Sequence, residues 1–177
     1  METIQIKDKQ FARLIDKEIL NQTVNKLAEE ISIDLQDEEP VFLPVLNGAF
    51  IFAADLLRKI RLNCQVSFVK LNSYEGTVST QNVKTIIGLP NDLENKTVVI
   101  IEDIIDSGLT IGSLIQMLKE KNIKKIKIAT LFFKPNSFKE SYPIDYIGMN
   151  VNTDFIIGYG LDFDGYGRNL HEIYKMI

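Results

Sequence analysis

Cysteine is nearly absent from this chain of 177 residues: it holds one, Cys64, which excludes an intramolecular disulfide. Histidine is as scarce, with His171 alone, so no Cys/His set at metal-ligand spacing exists. His171 therefore reads as a surface or packing residue, and Cys64, at the start of an apolar segment, as a small buried hydrophobe. There is no concentrated basic run or tail, and the net charge is −4. A non-specific nucleic-acid binder needs a concentrated positive footprint, so that class is disfavoured. No stretch approaches the roughly 18 apolar residues that a membrane span needs. The opening residues, METIQIKDKQF, lack an apolar signal core. A reducing cytoplasm is the expected home. Internal repeats and low-complexity segments are absent. So are two phosphate-binding signatures, G-x-x-x-x-G-K-[ST] and a G-x-G-x-x-G after the first strand.

What is present is the balance of an ordinary globular protein, 45% hydrophobic and 25% charged, of a length that suits one domain over residues 1–177. Phe11, Leu14, Ile15, Ile19, Leu27 and Ile31 recur at spacings close to helical and predict an N-terminal helix. Short apolar runs then alternate with mixed segments. Strands are predicted at 41–46, 64–71, 83–89, 97–101 and 126–133, with weaker ones at 146–149 and 155–159. Helices are predicted over 49–60 and 110–121. Near-continuous apolar strands alternating with helices imply an α/β fold, a parallel twisted sheet flanked by helices. The N-terminal helix and the last segment are expected to make a small lobe over one edge. Ligands in such sheets bind beyond the carboxyl ends of the strands, which directs attention to the residues after Leu46, Leu71, Ile101, Phe133 and Tyr159.

The segment from Val98 to Thr110 carries most of the functional signal. A buried strand delivers Glu102 and Asp103 at its exit, two apolar residues follow, and then Asp106, Ser107, Gly108, Leu109 and Thr110 make a small-residue turn into a helix. Backbone N–H groups at a helix start, with the hydroxyls of Ser107 and Thr110, form a phosphate cradle. Gly108 lets the backbone approach an anion closely. Carboxylates beside such a cradle repel phosphate and need another partner. A vicinal diol supplies one, so Glu102 and Asp103 would hold two ribose hydroxyls while the turn holds a 5′-phosphate. The competing reading is that Asp106 or Ser107 caps the helix and that Glu102 and Asp103 are solvated.

The run E-D-I-I-D-S-G-L-T after an apolar strand resembles the phosphoribosyl pyrophosphate motif of the type I phosphoribosyltransferases, in the version of their hypoxanthine-guanine branch. The resemblance extends from about Pro44 to Arg168 through five strand-end segments. It implies the fold of that family with a small hood lobe from the N- and C-terminal segments. It also implies a magnesium-dependent transfer of phosphoribose from phosphoribosyl pyrophosphate to hypoxanthine or guanine, in purine salvage. Its substrate-binding set runs from Ile105 to Thr110, with Asp106 as the proton acceptor at N7 of the purine. The segment Pro44–Phe50 resembles the family's pyrophosphate loop, with a cis peptide at Leu46–Asn47 followed by Gly48, although many relatives carry lysine where this chain has Asn47. On residues alone the same segment reads as a plain strand-to-helix turn.

By the same resemblance, Ser73 and Tyr74 belong to a mobile loop that closes over the reacting centre; by composition the stretch 72–82 is a lid or a disordered segment. Lys134 at a strand exit would read the O6 of a 6-oxopurine, where the residue alone reads as solvated. Phe155 would stack on the base and Ile156 would offer backbone groups to its edge. Asp162, with Glu102 and Asp103, would position magnesium. Arg168, the only arginine after Arg61, would approach the pyrophosphate. Relatives are commonly homodimers or homotetramers.

Two rivals share some of these features. A phospho-acceptor receiver module also has acids at strand exits and a late Lys-Pro pair, but draws its acids from separated strands and leaves 155–168 without a role. A non-catalytic regulator of the same fold would sense phosphoribosyl pyrophosphate or nucleotides, but such proteins usually need a nucleic-acid-binding surface.

Overall fold

The computed structural model of the protein describes residues 2–72, 84–90 and 92–177. The chain opens with a hairpin of Thr3–Ile6 (β1) and Lys9–Ile15 (β2), not with a helix. Phe11, Leu14 and Ile15 therefore lie on a strand, and their helix-like spacing is incidental: Phe11 is buried while Leu14 is exposed. The boundary is set by Asp16, whose extended backbone precedes the helix and whose carboxylate accepts from the Ile19 N–H at 2.9 Å. Helix α1 (Lys17–Asp34) buries Leu20, Val24, Leu27, Ala28 and Ile31, and Ile19 faces outward.

Then come Val41–Leu46 (β3), Phe50–Leu57 (α2), Gln65–Val66 (β4), Val69–Asn72 (β5) and Lys84–Ile87 (β6). The single strand predicted over 64–71 is two short ones, both parallel to β3. Cys64, just before β4, is exposed, which corrects its assignment to the core; His171 is exposed. Thr97–Ile105 (β7), Leu109–Lys119 (α3), Lys125–Phe133 (β8), Tyr146–Asn150 (β9), Ile156–Ile157 (β10) and Ile173–Met176 (β11) complete the order.

The main sheet runs β6-β5-β3-β7-β8-β9, parallel except for the antiparallel edge strand β6. Its central strands are apolar on both faces because helices cover both. Val99 and Ile101 of β7 pack with α1 and α2, whereas Val98 and Ile100 pack with α3. The chain passes from β3 to β5 on one side and reaches β7 on the other. The strand order therefore reverses between β3 and β7, and their carboxyl ends open on one crevice.

A second, antiparallel sheet in the order β1-β2-β11-β10 forms the hood. Its own core is Phe11, Ile157 and Tyr174, with Phe163 and Leu170 against it. The hood is thus a hairpin plus the last strands, and α1 belongs to the main sheet's cover rather than to the lobe. The weak strand predicted over 155–159 contributes only Ile156–Ile157, and to the hood. Among the described residues, no helix is long and apolar enough to cross a membrane.

Candidate active site

The crevice at the ends of β3 and β7 collects most of the residues singled out in the sequence. After Ile105 the chain turns through Asp106 and Ser107 to Gly108, which adopts φ 86° and stands at the N-cap of α3. A left-handed residue there suits glycine. No side chain caps the helix, and the Leu109 N–H has only a long 3.5 Å approach to the Ser107 hydroxyl. The first-turn N–H groups, with Thr110 beside them, therefore face outward without a side-chain acceptor.

Lys134, at the end of β8, is buried, and its Nζ donates to Asp106 Oδ2 at 2.9 Å. A buried ammonium needs such a partner. The half-exposed Asp106 carboxyl is pushed up by burial. Hydrogen bonds from Lys134 and then Ser137, with the ammonium charge, outweigh that and hold it below its ordinary value. Lys134 is therefore not the solvated lysine that its position alone would suggest.

Glu102 and Asp103 do not stand side by side. They are consecutive residues of β7, so the pleat sends them to opposite faces. Asp103 turns to the α2 side against Gly48; a β-carbon at Gly48 would collide with its carboxylate. Burial pushes the Asp103 carboxyl up to about 6, opposed by the Ile104 N–H at 2.9 Å and by the charge of Arg168. Glu102 turns to the α3 side. Its Oε2 is enclosed without a hydrogen-bond partner, and burial, then Asp103, pushes its carboxyl well above the usual range.

On β3, the Leu46–Asn47 peptide is cis and Asn47 is exposed. The segment after β10 closes on this loop. A β-carbon at Gly160, which has φ 108°, would strike the Gly48 carbonyl. Tyr159 donates to Asp55 of α2 at 2.7 Å. Arg168 Nη1 donates to the Gly160 carbonyl at 2.6 Å, and its Nη2 pairs with Asp162 Oδ1 at 2.6 Å. Asp162 Oδ2 accepts from the Gly165 N–H at 2.6 Å. Both oxygens of the implied metal ligand are thus engaged within the chain, and Arg168 is tied to it. Phe155 is half-exposed and meets Phe163 edge-on at 6.0 Å. Ile156 is buried and pairs with Lys175 in the hood.

Glu102, Asp103 and Asp162 do not converge, and no group of three His, Cys, Asp or Glu side chains among the described residues has a metal-binding arrangement. The donors still fit magnesium of the kind held by one or two carboxylates and completed by substrate oxygens and water. The Oε2 of Glu102 is an enclosed acceptor without a donor, and Asp103 is a buried carboxylate facing the Gly48 loop. Ser73 and Tyr74 lie outside the described residues.

Sequence reasoning missed Ser137, Lys139 and Tyr142, which hold the turn at 106–108 from behind, and Gly160. An aromatic pair, Phe138 and Tyr142, inside a polar connection was the available signal.

Residues 13–164 match the family model described as phosphoribosyl transferase domain. The chain is 39% identical over 161 residues to the hypoxanthine-guanine phosphoribosyltransferase of Bacillus subtilis, covering 90% of this chain and 89% of the relative. It superposes on a crystal structure of a hypoxanthine-guanine phosphoribosyltransferase from Bacillus anthracis, solved with a HEPES molecule in the active site. The TM-score is 0.88 at 37% identity, over 98% of this chain and 100% of that one. A hypoxanthine phosphoribosyltransferase from Staphylococcus aureus gives a TM-score of 0.89 at 32% identity, over 94% and 91%. On these matches, and with an uncapped helix start, a lysine–aspartate pair and a hood, the chain belongs to the phosphoribosyltransferase family.

Proposed function

We propose that this protein transfers the 5-phosphoribosyl group of phosphoribosyl pyrophosphate to hypoxanthine or guanine, giving IMP or GMP and pyrophosphate, as a purine-salvage enzyme. The observation that carries this reading is the pair of a buried Lys134 and a half-exposed Asp106 beside the uncapped start of α3. It sets a carbonyl-reading donor and a proton acceptor next to a phosphate cradle.

The N–H groups from Asp106 to Thr110 hold the 5′-phosphate. Lys134 donates to the O6 of a 6-oxopurine, and its ammonium has nothing to offer the 6-amino group of adenine. Asp106, held ionised by Lys134, takes the proton from N7. The purine nitrogen forms its bond to the anomeric carbon as the bond to pyrophosphate breaks, and the electron pair leaves with pyrophosphate. Magnesium, when bound with pyrophosphate, neutralises the leaving charge. Either Glu102, on one face of β7, or Asp103, on the other, would hold it, and Asp162 would join only by giving up Arg168, which would then be free for the pyrophosphate. Phe155 stacks on the base and the backbone at Ile156 meets its edge. The loop at Leu46, Asn47 and Gly48 meets the pyrophosphate. The same reading places the protein in the cytoplasm as a homodimer or homotetramer.

The test follows pyrophosphate release with phosphoribosyl pyrophosphate, magnesium and each purine in turn. Hypoxanthine and guanine support turnover and adenine does not. Asp106→Asn lowers turnover by about 10²–10⁴ while the protein still folds. Silence with both 6-oxopurines retires the reading in favour of a non-catalytic sensor of phosphoribosyl pyrophosphate or nucleotides.

A further inference from the structure

The connection that leaves β8 runs back across the phosphate loop and holds it residue by residue. The Lys134 N–H donates to the Ile105 carbonyl at 3.0 Å and its Nζ to the Asp106 carboxylate at 2.9 Å. The Lys139 N–H donates to the Ser107 carbonyl at 3.3 Å. The Tyr142 hydroxyl donates to the Gly108 carbonyl at 2.6 Å. Three carbonyls of the loop are thus held from one segment. In a planar trans peptide the carbonyl and the following N–H point to opposite sides. A carbonyl drawn toward the connection therefore sends the next N–H, that of Asp106, Gly108 or Leu109, the other way.

We propose that residues 134–142 form a backing strap that aims the N–H groups of the phosphate loop, and that Tyr142 is a positioning residue for the 5′-phosphate. The assignment rests on the ribose-phosphate site described above. The strap lies directly on the loop: a β-carbon at Gly108 would come within 2.7 Å of the Phe138 ring and of the Tyr142 hydroxyl, and 2.9 Å of Glu140 Cγ. Gly108 is therefore required for room as well as for its φ of 86°. The strap is anchored by its aromatics. Phe138 meets Tyr142 edge-on at 5.3 Å and Phe133 of β8 at 5.3 Å. Burial, then Glu140 and Glu102, pushes the Tyr142 hydroxyl up, so it stays a neutral donor. The Gly108 carbonyl also accepts the Gly112 N–H at 2.9 Å. Removing the hydroxyl thus leaves the first turn of α3 bonded and frees only the tilt of the peptide.

Tyr142→Phe keeps the ring and removes the hydroxyl. Calorimetric titration with ribose 5-phosphate, and separately with magnesium pyrophosphate, reads the two halves of the site without turnover. The variant is expected to bind ribose 5-phosphate about fivefold more weakly, the size of one lost hydrogen bond. Its affinity for pyrophosphate stays that of wild type. In turnover, KM for phosphoribosyl pyrophosphate rises by a similar factor while kcat and KM for the purine hold. Equal ribose 5-phosphate affinity in variant and wild type overturns the strap while leaving the functional reading intact. Parallel loss of both ligands also overturns it, as a general defect of the fold. A wild-type protein that binds no ribose 5-phosphate overturns the strap and the functional reading together.

Discussion

Asp103 lies between the Gly48 backbone and Arg168, and its carboxyl titrates at about 6 because burial outweighs the hydrogen bond and cation that favour its charge. The folded state therefore holds a proton that the unfolded chain, with an ordinary carboxyl near 3.8, has already released. The resulting stability is complete below 3.8 and is lost as the pH rises through about 6. The gap corresponds to about 3 kcal/mol at most. Asp103→Asn removes a charge that the fold resists. Its unfolding temperature is expected to exceed that of wild type at pH 8 by a few degrees, and the difference to close by pH 4. A variant that melts below wild type at pH 8 would show that the ionised carboxylate is stabilised by the fold. Glu102 follows the same logic from the other face of β7.

The elements show which patterns a sequence can settle. β3, β7 and β8 were legible because a run such as Thr97–Ile101 is apolar on both faces and suits only a strand covered twice. The hairpin at the start was not, because Phe11, Leu14 and Ile15 share a spacing that continues into a true helix. Asp16 decides the matter by its cap, a local signal outweighed by a longer apolar pattern. Asp16→Ala is expected to cost about 1 kcal/mol, a loss of about 2–4 °C in thermal unfolding for a chain of this size. An unchanged midpoint would mean that packing of α1 alone fixes its start. At the site, the acid-rich turn was legible because its residue types serve no core. The opposed faces of Glu102 and Asp103 were not, because the strand extends to Ile105, beyond the apolar run that announced it. The strap was hidden for a different reason: its hydrogen bonds run between backbone groups and a tyrosine 34 residues from its partner.

At the scale of the molecule, the two sheets share a core. Ile156 and Ile173 of the hood are buried in the same cluster as Leu20 and Phe52 under the main sheet. Arg13 of the hairpin pairs with Glu172, and Lys7 with Asp164, so the chain's two ends are fastened to each other. The hood is thus a fixed wall of the crevice. Large apolar side chains still face outward, among them Phe50, Val66 and Phe68, surface that the proposed self-association would cover. Sedimentation equilibrium is expected to return two or four times the chain's 20.2 kDa; a mass of one chain at micromolar concentration would retire the oligomer.

Gly160 rests on Gly48, and Gly48 rests on Asp103: the Gly48 carbonyl fills the volume where a Gly160 methyl would be, and the Asp103 carboxylate fills the volume where a Gly48 methyl would be. The obstacles are a carbonyl and an enclosed carboxylate, with no pliable tip to move aside. A missense change at either codon therefore has no local remedy. Both positions are held to glycine, and this side of the crevice owes its shape to two side chains that are missing.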